Sequence, residues 1–152
     1  MKEQRRGRRI AMSPDERDAF LQGERTCRLA TLSPGGPHLS ALWFVWDGES
    51  FWVTSIVKSQ RWTNIERDPH VSVLVDAGHG YGELCGVEIV GTAQPVGEVP
   101  RVGEPNEELA EPERLFGEKY SGGTFHHDGR HAWLRIVPDK IVSWDFRKIP
   151  TG

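Results

Sequence analysis

Between Thr26 and Phe146 the chain breaks into short runs rich in Val, Ile, Thr, Phe and Trp, each bounded by turn-forming residues. This rhythm limits the fold more than any other property of the sequence. Apolar and polar residues alternate loosely over 26–32, and Ser33-Pro34-Gly35-Gly36 supplies turn chemistry before HLSALWFVW, which predicts a hairpin. Asp47-Gly48 marks a second hairpin ahead of SFWVTS. HVSVLVD follows, then a long strand candidate from Tyr81 to Val96 interrupted by Gly82, Gly86 and Gly91, where bulges would relieve strain. HAWLRIVPDKIVSWDF gives two β-rich pieces around Pro138-Asp139.

Helical signals are few. Ser13-Pro14-Asp15-Glu16 sets a capping box before a short helix that ends near Gly23. Ile56, Val57, Trp62 and Ile65 suit one amphipathic helix stopped by Asp68-Pro69. Residues 104–123 read as an acidic helical excursion whose first half Pro112 makes doubtful. The sum is a mainly β fold: a six- to seven-stranded antiparallel barrel, closed or partly closed, with two or three peripheral helices. A parallel doubly wound sheet is disfavoured, because no βαβ alternation is present.

A chain of 152 residues suits one domain. We expect a basic flexible arm over 1–9 and a single domain over 10–152. The arm holds five Lys and Arg against one Glu, so the net charge of -3 hides an acidic body. An arm of this kind attracts a polyanion or a cofactor with a negative tail. The acidic body and the lack of a basic strand argue against nucleic acid as the partner. No apolar run approaches the ~20 residues of a membrane span, and a cytoplasmic location is expected. Cys27 and Cys85 sit in strand patterns without metal or paired-thiol spacing, and read as reduced core residues.

The segment VTSIVKSQRWTNIERDP carries the chemistry. If a strand ends at Thr54 and a helix starts near Ser59, the hydroxyls of Thr54 and Ser55, the free N–H groups of the first turn and the Lys58, Gln60 and Arg61 side chains converge. That is an anion-binding geometry. Each charge-assisted bond contributes about 1.5–3 kcal/mol, whereas micromolar affinity needs about 8 kcal/mol. The remainder requires burial of a flat ring, for which Trp43, Phe44, Phe51 and Trp52 lie nearby.

VTSIVKSQRWTNIERDPHVSVLV closely resembles the core of the pyridoxamine-phosphate-oxidase-like split β-barrel superfamily. The likeness extends through RRIAMSPDERDAFL, ATLSPGGPHLSALWFVWDGESFWVTS, GVEIVGTAQPV and KIVSWDFRK, leaving out 97–130. Within the superfamily the chain looks most like the actinobacterial branch of deazaflavin (coenzyme F-420) dependent oxidoreductases, whose members also include flavin mononucleotide (FMN) binders.

The resemblance implies an oxidoreductase passing a hydride between a reduced F-420 type cofactor, or FMN, and a small unsaturated organic substrate. It implies Ser40, Ala41 and Leu42 against the ring, and Thr54 and Ser55 with Ser59 beside the ribityl chain and phosphate. The family's basic pair falls on Gln60 and Arg61; the lost charge is one that Lys58 can restore. Gly86 stands where many oxidases of the superfamily carry a glutamine, which argues against a true pyridoxamine phosphate oxidase. Homodimers with cofactor sites at the interface are implied, with Trp133 or Trp144 reaching the partner's cofactor. Arg5, Arg6, Arg8 and Arg9 would meet the oligoglutamate tail of F-420 if the arm folds toward the groove.

No catalytic side chain is named, since the cofactor supplies the chemistry. Tyr81 and His38 would donate a proton only if they face the ring, and such residues in barrel strands more often pack. His126, His127, Asp128 and His131 read as a solvated loop and not a metal site, because Asp128-Gly129 breaks the spacing that would align the ligands. The alternative function is a non-catalytic flavin- or haem-binding split-barrel carrier.

Overall fold

The protein is described by a computed structural model over residues 1–150, so the last two residues of the expected 10–152 domain lie outside the described residues. Six antiparallel strands form a barrel: β1 (Thr26–Ser33), β2 (Gly36–Trp46), β3 (Phe51–Ile56), β4 (His70–Ala77), β5 (Cys85–Val96) and β6 (His131–Asp145). Their order round the ring is β1-β2-β3-β6-β5-β4. The two pieces expected after residue 130 are one strand. Pro138 pairs with Gly91 and Lys140 with Val90, so Asp139 is the extra residue of a bulge and the proline costs no ladder bond. The strand expected from Tyr81 starts at Cys85, after a turn of 3-10 helix.

α1 (Pro14–Gly23) opens on the expected capping box, with Ser13 Oγ accepting from Glu16 N at 3.2 Å and Glu16 Oε1 from Ser13 N at 3.0 Å. α2 (Gln60–Arg67) buries Trp62 and Ile65 in the core alongside Leu29, Phe44, Phe51, Val73, Ile89 and Leu134. Cys27 and Cys85 are both free and buried, and burial pushes the Cys27 thiol up to about 12. α3 (Glu107–Tyr120) runs unbroken through Pro112, contrary to the doubt its ring raised. It lies outside the barrel, where Leu109, Leu115 and Phe116 pack with Val45, Trp52 and Trp133 into a second apolar cluster. No helix is long and apolar enough to cross a membrane among the described residues.

The basic N-terminal segment, expected as a flexible arm, lies along β6. Gln4 exchanges hydrogen bonds with the Ser143 backbone at both its amide nitrogen and its oxygen, each 3.0 Å, and Lys2 N donates to Asp139 O at 2.7 Å.

Gly86 has a structural reason. A Cβ there would stand 2.5 Å from the Trp144 ring and 3.0 Å from Val75 O. Gly86→Ala is expected to cost about 1–3 kcal/mol through overpacking. A lowered urea midpoint checks this, and an unchanged one would mean that Trp144 swings aside.

Candidate functional site

β2 and β3 pair only over Phe44–Trp46 and Phe51–Val53. Beyond that point β2 continues along β1, and Thr54–Ile56 pair with β6 alone, so the two strands part. The site lies on this opening. After β3 the chain turns, and Ser59 caps α2 by accepting from Trp62 N at 3.1 Å. One helical step later Arg61 comes back over the gap and spans it. Its Nε donates to Ser55 Oγ on β3 (3.0 Å) and its Nη1 to Ser40 Oγ on β2 (3.1 Å). Ser55 Oγ also lies 3.3 Å from Ser59 Oγ.

Arg61 is half-buried, and among the described residues no carboxylate pairs with it. Burial pulls its guanidinium below the ordinary arginine range. A desolvated cation held only by neutral hydroxyls leaves positive charge for an incoming anion to satisfy.

The other residues expected to converge do not all do so. Gln60 turns along its helix and donates to Asn64 Oδ1 at 2.8 Å, while Asn64 donates to the buried Thr31 hydroxyl at 3.0 Å. Lys58 is exposed and makes no hydrogen bond among the described residues. Thr54 and Ser55 point to opposite faces, because successive strand residues alternate: Ser55 faces into the barrel and Thr54 faces out. Ser59 is committed as the helix cap.

Thr54 instead lines a cavity of about 360 Å³ on the outer side of the opening, together with Ala41, Leu42, Trp43, Trp133 and Phe125. This falls in the about 300–1,000 Å³ range of small-molecule sites. Trp133 is wholly buried in the cavity wall, and half-buried Trp144 lies over Gly86. His38 and Tyr81 do not line the cavity: Tyr81 is exposed against Phe146, and His38 Nδ1 is buried without a partner. Nor do Arg5, Arg6, Arg8 and Arg9, whose segment lies along β6.

The cavity's roof comes from the segment between Arg101 and Asp128. Buried Arg101 forms a two-pronged pair with Glu113 (2.9 and 3.0 Å), and its Nη1 also donates to Glu98 Oε1 (2.6 Å). Glu113 also accepts from Trp133 Nε1 at 2.9 Å, locking α3 to β6. Burial works to raise the Glu113 pKa, but the Arg101 and Trp133 hydrogen bonds outweigh it and hold the carboxyl below its ordinary value. His126, His127 and Asp128 are exposed, as expected of a solvated loop, and with His131 they also form the cavity's rim. Sequence reading missed this; the one signal was the Asp128-Gly129 turn, which folds the loop back on β6.

A family profile described as pyridoxamine 5'-phosphate oxidase matches residues 13–145. The chain belongs to the pyridoxamine 5'-phosphate oxidase family. Among solved members of this fold, a conserved hypothetical protein from Mycobacterium tuberculosis is 34% identical with a TM-score of 0.79, covering 99% of this chain and 96% of that one. An FAD-binding protein from Mesorhizobium loti is 19% identical with a TM-score of 0.66, covering 88% and 93%. A protein named F420 reductase is 24% identical with a TM-score of 0.61, covering 82% and 94%. The last two share the fold alone. No curated protein matches the sequence.

Proposed function

We propose that this member of the pyridoxamine 5'-phosphate oxidase family binds a phosphate-bearing deazaflavin or flavin at the opening between β2 and β3. It would use the group for hydride transfer to a small unsaturated organic substrate. One observation carries the reading: Arg61, half-buried and without an acidic partner among the described residues, bridges Ser40 and Ser55 across the opening. These residues fit a phosphate, and Lys58 at the adjoining turn adds a second cation. Ala41, Leu42 and Thr54 would flank the ring and ribityl chain. The bound group supplies the hydride chemistry; the protein orients it and excludes water.

The F-420 type is favoured by the resemblance to the deazaflavin branch, and the F420 reductase of like fold agrees with it. FMN is the other candidate, in keeping with an FAD-binding protein among the structural neighbours. Gly86, overlain by Trp144, offers no side chain like the oxidases' glutamine, which speaks against pyridoxamine phosphate oxidation itself. A homodimer is part of the proposal. Leu39 and Trp43, 66% and 49% exposed on the outer face of β2, are an apolar row beside the site that a second copy would cover.

The deciding experiment titrates purified protein separately with FMN and with F-420, following the chromophore, and measures mass in solution with each. Tighter binding of F-420 supports the favoured reading. Binding of either group that stays reduced with every acceptor tried favours a carrier. Failure of both to bind ends the redox reading.

A further inference from the structure

α1 and α3 end side by side, and each end is closed by a cation from the other. Arg25, two residues past α1, donates from Nη1 to Lys119 O in the last turn of α3 (3.1 Å), and Lys119 Nζ donates to Leu21 O in the last turn of α1 (3.1 Å). Carbonyls in a last turn have no partner inside their own helix, so each cation sits where a helix is most negative. The Tyr120 hydroxyl, next in the chain, joins this corner to β2 by accepting from Phe44 N at 3.2 Å. Lys119 is the unusual member. It is half-buried, its Nζ lies 4.0 Å from the centre of the wholly buried Phe44 ring, and no carboxylate pairs with it among the described residues. Glu24 and Arg25 flank it from the link into β1, the Cys27 thiol from β1, and Glu118 and Tyr120 from α3. Burial, and after it the Arg25 charge, outweigh Glu24 and the thiol and pull the ammonium down to about 8. About a tenth of the amine is then unprotonated at pH 7, against roughly one part in a few thousand for an ordinary lysine. A lysine stripped of its proton by desolvation and a neighbouring cation is a nucleophile. Lys119 also lines a hollow of about 280 Å³, walled by Val45, Trp46 and Leu115.

We propose that Lys119 is a modification site for a small acyl group delivered from an activated carbonyl, an acyl phosphate or an acyl thioester, and that acylation loosens the end of α3. The neutral amine attacks the carbonyl carbon. A carbon–nitrogen bond forms, the carbon–oxygen bond to phosphate or the carbon–sulfur bond breaks, and phosphate or thiolate leaves with the electron pair. The nitrogen sheds one proton to solvent. Val45, Trp46 and Leu115 offer the methyl end of a two-carbon acyl group an apolar wall. The amide formed keeps one N–H for Leu21 O, but it is uncharged and loses the attraction of the Phe44 and Tyr120 rings. One turn before Lys119, α3 carries Phe116 into the wall of the cavity, so a loosened helix end alters the candidate site from outside it.

The test treats the full chain with acetyl phosphate or with acetyl-coenzyme A between about pH 6.5 and 9.5 and follows each lysine by peptide mass spectrometry. At neutral pH, Lys119 should be acetylated about tenfold faster or more than the lysine of an unstructured peptide in the same solution. Its rate should level off near pH 8 while that of the peptide keeps rising. Reaction with only one of the two donors identifies the carrier, and reaction with both assigns the site to the acyl group itself. A Lys119 rate no faster than that of the peptide, or one still climbing at the highest pH, would overturn the site. In the acetylated protein the last amides of α3 should exchange about three- to tenfold faster. Lys119→Arg, which keeps the charge and takes no acetyl group, should match the untreated parent before and after treatment. Equal exchange in acetylated and untreated protein, or faster exchange in treated Lys119→Arg, would overturn the loosening.

Discussion

Arg61→Ala is expected to weaken binding of FMN or F-420 by about 1.5–3 kcal/mol, roughly ten- to a hundredfold, in a chromophore titration. The same substitution should leave the melting temperature level or raise it. That second half separates a binding role from a structural one. Arg61 is half-buried without a carboxylate, and its guanidinium is pulled below the ordinary range by burial, so the folded chain gains little from keeping it charged there. Its bonds to Ser40 and Ser55 are to neutral hydroxyls. A loss of stability with unchanged affinity would make Arg61 a strut between β2 and β3 and remove the basis for a phosphate there.

The largest effect on stability is expected at Arg101. Arg101→Met strands Glu113, whose carboxylate is largely buried and also serves Trp133 Nε1. Breaking a buried pair by removing one partner costs about 3–5 kcal/mol. The loss should appear first as local opening of α3, with its amides exchanging about a hundredfold faster or more in hydrogen-exchange measurements. Adding Glu113→Gln should recover much of it, because the amide removes the lone charge while its oxygen still accepts from Trp133. Exchange as slow as in the parent would place the anchoring of α3 in its apolar contacts with Trp133 and Val45 instead.

The parts of the fold set by neighbouring residues were legible in the sequence. The capping box at Ser13 and the turn at Ser33–Gly36 depend on side chains within a few positions of each other, and both form as their chemistry dictates. Pro138 misled because its cost depends on what faces it: opposite Gly91, at a bulge, the missing N–H is harmless. Arg61 could be singled out, since helix-start chemistry is local, but its neighbours could not. Period-two alternation sends Thr54 and Ser55 to opposite faces, yet which face meets the opening is decided where β2 and β3 part. The Arg101–Glu113 lock was illegible for a further reason: it joins residues twelve positions apart and forms only because the segment from Arg101 to Asp128 packs over the barrel, which no local pattern announces.

The ladder between β2 and β3 has three residue pairs, as has that between β1 and β4, against twelve between β5 and β6. Thermal breathing of the barrel is expected to start at these short seams, one of which is the opening proposed to admit the cofactor. A molecule lodged across that seam supplies the rungs the backbone leaves out, so occupancy and resistance to heat rise together. The empty chain trades rigidity at one seam for entry.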